Sequence, residues 1–181
     1  MPEQKQTFDV ATLGNYTKDT IVTAAGTQHA DGGGVTYSAH AAHTLGRKVA
    51  AVTRLAEEDF HVVRSLEDFG ITVFATATPS STLMRLEYPT DNPDERILTV
   101  ADTAGSFTPD QVRDIDAKAF IISPSIRGEF PVETVRELRK KNAIISADAQ
   151  GFIRVRHPDG RLEHLQWPEQ GEVLAMIDVL K

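Results

Sequence analysis

Cysteine is absent from the 181 residues, which excludes disulfides and thiolate metal sites. Also missing is any apolar run near the ~20 residues that a bilayer-spanning helix needs. The N-terminus, Met1–Thr7, is polar and has no apolar stretch of the signal-peptide kind. The chain therefore reads as a soluble cytoplasmic protein without a membrane partner. Basic residues are in the minority, 19 Lys and Arg against 26 Asp and Glu, for a net charge of −7. A nucleic-acid surface, which depends on clustered Lys and Arg, does not fit that balance. No Walker A spelling occurs. A Rossmann fingerprint fails as well, because its third glycine would fall on Tyr37 and no clear strand runs into Gly32.

What is present is enough apolar sequence, 40% of residues, to bury a real core. Short β-branched and apolar runs alternate with amphipathic ones. Phe8–Leu13, Thr20–Ala24, Val49–Leu55 and Ile71–Ala75 read as strands, and Val35–Leu45 and Glu57–Phe69 as helices closed by Gly46 and Gly70. On the first helix Val35, Ala39, Ala42 and Leu45 share one face. Such order implies a mainly parallel sheet with helices on both faces. Between 79 and 101 the pattern changes: Thr82–Tyr88 and Arg96–Ala101 flank a polar turn and read as an antiparallel hairpin. Alternation then resumes with helix Pro109–Ile115, strand Ala119–Ser123, helix Val132–Asn142 and strand Ala143–Ala147. A hairpin-like pair, Phe152–Val155 and Leu162–Gln166, follows.

The most informative stretch is Gly32-Gly33-Gly34, which runs straight into the first helix. Without a Cβ, these residues accept positive φ and leave room for a ligand against the main chain, while first-turn amides lack internal partners. A plain turn that starts a helix is the competing reading of the glycines alone. His40 and His43 stand i,i+3, but with no third ligand in view they read as surface histidines rather than a metal site.

Leu13-Gly14-Asn15 followed by Asp19, the glycine triplet opening a helix that ends Leu45-Gly46, then Val49–Arg54 with Glu57-Glu58-Asp59, resemble the N-terminal half of the ribokinase-like (PfkB) carbohydrate kinases. Ser81-Thr82, Asp102–Pro109, Asp148-Ala-Gln-Gly-Phe-Ile-Arg154 and Ile177–Lys181 continue in the same order. The resemblance implies a three-layer α/β/α Rossmann-like fold with a small β lid, here about residues 20–31 and 82–101. It also implies transfer of the γ-phosphate of ATP, with Mg2+, to a hydroxyl of a sugar, polyol or nucleoside. Asn15, Thr17, Asp19, Gly32, Gly33, Gly34, Tyr37 and Glu129 would then face the acceptor, and Asp148 and Gln150 the phosphate and magnesium side.

A carboxylate such as Asp19 suits that task, since it accepts from two hydroxyls at once. The family's base, the Asp of a Gly-Ala-Gly-Asp helix start, has no counterpart; Asp102-Thr-Ala-Gly105 is followed by Ser106-Phe-Thr108 instead. The expectation is therefore a substrate-binding half whose ATP-binding half and base lie outside these residues, inactive by itself. Tyr37 replaces a usual Asn, Thr17 another, and Ala56 a glycine. The run Ser123–Phe130, with Asp148 and Gln150, is closer to the branch that includes inositol kinase-like members, which implies a polyol or a less common sugar. Open lid edges suggest a homodimer. A non-catalytic sugar-binding or dimerising module is the alternative, and a dinucleotide-binding domain a distant one.

Overall fold

The computed structural model describes residues 7–181, so of the polar N-terminal stretch only Thr7 falls within it. Strand β1 (Thr7–Leu13) leads into a hairpin of β2 (Thr17–Thr23) and β3 (Gly26–Gly32), then helix α1 (Gly34–Thr44) and strand β4 (Val49–Ala56). A single 3-10 turn, Glu57–Asp59, precedes α2 (His61–Asp68) and β5 (Thr72–Thr78). The second hairpin is β6 (Thr82–Glu87) with β7 (Ile97–Asp102). Next come α3 (Pro109–Arg113), β8 (Asp116–Ile122), α4 (Val132–Arg139), β9 (Ile144–Ala147) and α5 (Gln150–Ile153). Strands β10 (Arg154–Arg156) and β11 (Leu162–His164), helix α6 (Gln170–Leu174) and β12 (Val179–Leu180) complete it.

The main sheet has the order β12-β9-β8-β1-β4-β5, and every pairing in it is parallel. Strand β4 shows why helices cover both faces. Its residues alternate between two cores: Ala50 and Val52 pack with Val112, Val135, Leu138 and Val173 of α3, α4 and α6. Val49, Ala51 and Leu55 pack with Val35, Ala39 and Ala42 of α1 and with Val62, Val63 and Leu66 of α2. A strand buried on both faces must be apolar at every position, as this one nearly is.

The lid is a separate four-stranded sheet, β3-β2-β6-β7. Two antiparallel hairpins join through a parallel β2–β6 pairing, Thr17 opposite Thr82 through Val22 opposite Glu87. The β10–β11 hairpin reaches one edge of the lid, where Thr99 bridges Arg161 and Val100 N–H donates to Gly160 O. Strand β3 forms the opposite edge.

Several sequence expectations shift. The lid strands begin earlier than expected, at Thr17, because Thr17 pairs with Gly32. The expected helix Glu57–Phe69 is divided: Asp59 turns inward to accept from Lys18 and Ser81, and helix proper starts at His61. Leu45 does not join the buried face of α1; as the C-cap residue it is 76% exposed. Phe152 belongs to α5 rather than a strand, because the Asp148 carboxylate accepts from Gln150 N–H and Ala149 O accepts from Phe152 N–H. Helix α4 stops at Arg139, where Lys140 and Lys141 amides turn back to Glu137 and Leu138.

Candidate functional site

A cleft of about 630 Å³ opens between the carboxyl ends of the parallel strands and one face of the lid. That is where α/β sheets gather ligands, since loops leaving adjacent strands part there. Its floor is Ser123 and Ser125 after β8, with Ser146, Ala147 and Asp148 at the end of β9. Its roof follows from strand periodicity. Asp19 pairs with Met84, and Leu86 with Leu98, so alternate side chains of β2, β6 and β7 face the floor together. The cleft thus offers an apolar roof broken by the Asp19 carboxylate and, next to Ile97 of β7, by Arg96, opposite a polar floor.

Asp19 is half-buried, and its Oδ1, itself buried, has no hydrogen-bond partner. Burial raises its pKa, the Thr17 hydroxyl opposes that, and the nearby Asp31 carboxylate adds to the rise. An unpartnered carboxylate oxygen in a concave site is an acceptor waiting for a donor. Thr17 lines the cleft beside it, as do Gly33 and Gly34 at the start of α1. Gly33 has φ +99°, and a Cβ there would lie 2.7 Å from Asn15 O. A Cβ on Gly34 would lie 2.6 Å from Ser123 Cβ. Gly34 thus lets α1 sit directly against the residue that follows β8, and Gly33 lets it start against the connection between β1 and β2. Tyr37 stands 63% exposed at the mouth.

Three expected residues do not line the cleft. Gly32 serves it indirectly: a Cβ there would collide with the Asp19 carboxylate and lie 2.6 Å from Thr17 Oγ1. Asn15 is fully buried, and its amide donates to Gly105 O at 2.9 Å. Glu129, only 2% exposed, accepts from Ser125 N–H at 2.6 Å and leaves its Oε1 unpartnered. Burial pushes its carboxyl up to about 7, against the Ser125 N–H bond and the pull of the nearby Asn15 amide and Ile126 N–H, which favour the charged form. Asn15 and Glu129 therefore lie behind the floor and hold it.

On the other side, Asp148 and Gln150 both line the cleft, with Lys181 Nζ 4.0 Å from Asp148 Oδ2. Among the described residues no group of three or more His, Cys, Asp or Glu could hold a metal ion. Asp102, at the end of β7, is exposed and outside the cleft. Arg96, Arg154 and the serines were not expected there. Arg154 closes the run that begins at Asp148, which was a usable signal. Arg96 follows a polar turn and looks in sequence like any surface charge.

No family model matches the chain, and no curated protein does. Solved structures do. A ribokinase-family, pyrophosphate-dependent kinase complexed with a pyrophosphate analog and myo-inositol superposes with a TM-score of 0.86 at 29% identity, over 94% of this chain and 60% of its own. A pyrophosphate-dependent myo-inositol-1 kinase converted into a myo-inositol-3 kinase by two substitutions matches with a TM-score of 0.85 at 30% identity, over 94% and 58%. Ribokinase of Arabidopsis thaliana, complexed with ribose and ATP, shares the fold with a TM-score of 0.64 at 16% identity, over 96% and 60%. The chain spans about 60% of the length of the solved chains it matches. This chain is thus similar in fold to solved kinases of the ribokinase family (PfkB), and two of the pyrophosphate-dependent ones share 29% and 30% of its sequence.

Proposed function

We propose that this chain supplies the acceptor side of a kinase that phosphorylates a polyol or sugar hydroxyl. The observation that carries the reading is Asp19: a carboxylate with a free oxygen, set in an apolar roof over a serine-rich floor. A polyol presents hydroxyl donors to such an oxygen and C–H faces to Met84, Leu86 and Leu98. Water alone gains nothing from the apolar part of that surface. Myo-inositol is the probe of choice, because the neighbours at 29% and 30% identity are described with it.

In-line phosphoryl transfer needs a base for the attacking hydroxyl and positive or N–H groups for the phosphoryl oxygens. In this reading Asp19, Thr17 and the Gly33–Gly34 backbone orient the acceptor, and the base comes from sequence outside these residues. The donor is a polyphosphate. ATP follows from the family resemblance, with pyrophosphate its rival because the neighbours at 29% and 30% identity depend on it. Residues here that suit the donor side are Asp148, through magnesium, and Gln150.

A thermal-shift screen of sugars, polyols and nucleosides against this chain tests the reading, since a ligand that binds only the folded state raises its apparent stability. Stabilisation by a polyol or sugar is expected; a flat response to every member, myo-inositol included, would contradict it. A homodimer through the free edge of β3 belongs to the same proposal. Sedimentation that finds only monomer at high concentration would remove that part.

A further inference from the structure

Two arginines meet at one end of the cleft with no ion-pair partner, although Asp148 lines that cleft and Asp94 lines a smaller cavity that both arginines share. Arg154, on β10, is 8% exposed, and its Nε is buried with no hydrogen-bond partner. Arg96, just before β7, lines the same cleft and a smaller one of about 270 Å³ behind it, which Arg154 also lines. Neither guanidinium has an ion pair among the described residues. Asp148 is near enough to act on Arg154 through its field but not to pair with it. Its closest cation is Lys181 Nζ, at 4.0 Å. Burial, and then the adjacent Arg96, lower the pKa of Arg154.

Placing two like charges side by side, one of them desolvated, is costly unless an anion completes the site. Guanidinium groups match phosphate oxygens in planar, two-bond geometry, which favours phosphate over a small spherical anion. The position matters too. Arg96 comes from the lid and Arg154 from the β10–β11 hairpin at its edge, so an anion between them bridges the two sheets.

We propose that Arg96 and Arg154 form a phosphate subsite at the lid end of the cleft. Resting on the polyol-kinase reading, the inference adds that the cleft prefers a ligand bearing a phosphate to its neutral counterpart. That phosphate comes from one of two sources: a phosphorylated polyol, or the inorganic phosphate or pyrophosphate of a donor.

Calorimetric titration of this chain with myo-inositol, a myo-inositol monophosphate, inorganic phosphate and pyrophosphate separates them. The monophosphate is expected to bind about tenfold or more tightly than myo-inositol, a preference that charge-assisted bonds supply. Arg96→Gln, at an exposed position, should bring that ratio below about threefold at unchanged ionic strength. Arg154→Gln should do the same, with circular dichroism to check its fold. Arginine-dependent binding of phosphate or pyrophosphate without a preference between the two inositols supports the subsite and assigns it to the donor. Equal binding of charged and neutral ligands, with no arginine-dependent phosphate binding, overturns it. Arginine-dependent phosphate binding with no response to any polyol upholds the subsite and sinks the polyol reading instead.

Discussion

Lys18 Nζ, on the first lid strand, donates to Asp59 Oδ1 at 2.9 Å, and the other oxygen of that buried carboxylate accepts from Ser81 Oγ at 2.6 Å. Ser81 Oγ in turn accepts from Ala56 N–H, where β4 ends. One carboxylate therefore ties both lid hairpins to the main sheet. Burial raises its pKa, but the bonds from Ser81 and Lys18 outweigh that and leave it below the ordinary value.

Asp59→Ala should accordingly destabilise the fold by roughly 2–3 kcal/mol, since it strands a buried hydroxyl and removes a charged acceptor. Lys18→Met, at a side chain 47% exposed, should cost no more than about 1 kcal/mol. Urea unfolding of both variants checks the ranking. Equal costs would mean that Asp59 acts only as half of a surface ion pair.

Gly33 carries a separate expectation. At φ +99°, with Asn15 O 2.7 Å from the place of a Cβ, alanine is strained in backbone and in space at once. Gly33→Ala should destabilise by more than about 1 kcal/mol. Gly46→Ala shares the positive φ but meets nothing within 4 Å, so it should be milder. Thermal unfolding of the two variants compares them; similar losses would leave close packing at Gly33 without energetic weight.

Glu129 makes stability depend on pH in a definite direction. Folded, its carboxyl keeps the proton to about 7; unfolded, it releases it near 4.5. Between these values the folded state binds more protons, so stability falls as pH rises, by an amount on the order of 3 kcal/mol. Below the lower value this contribution is fully present. Glu129→Gln should flatten the decline between pH 5 and about pH 7.5. Parallel curves for the two proteins in urea titrations would show that Glu129 titrates normally.

The parallel core was legible because its signals are local and repeated. Apolar runs such as Val49–Leu55, punctuated by Gly46 and Gly70, reveal buried strands and helix ends without knowledge of their partners. The glycine triplet and Asp19 were legible only as a pair of clues, and it is the β2–β3 register, with Thr17 opposite Gly32, that sets them side by side. What escaped depends on contacts distant in sequence. In sequence Asp59 is one of three acidic residues at the start of an expected helix, and its partners Lys18 and Ser81 stand far from it; Glu129 reads as an acceptor-facing residue rather than a support behind the floor. Arg96 and Arg154 stand far apart in the chain, and nothing in either neighbourhood announces the other.

Whether Asp19 holds a polyol hydroxyl is read from isothermal titration of myo-inositol into this chain and into its Asp19→Ala variant. Saturable binding by the parent chain is expected, with a loss of roughly 1.5–3 kcal/mol, about ten- to a hundredfold in Kd, on removing the carboxylate. A variant that binds within about twofold of the parent would contradict it, because the free oxygen of Asp19 would then hold no hydroxyl.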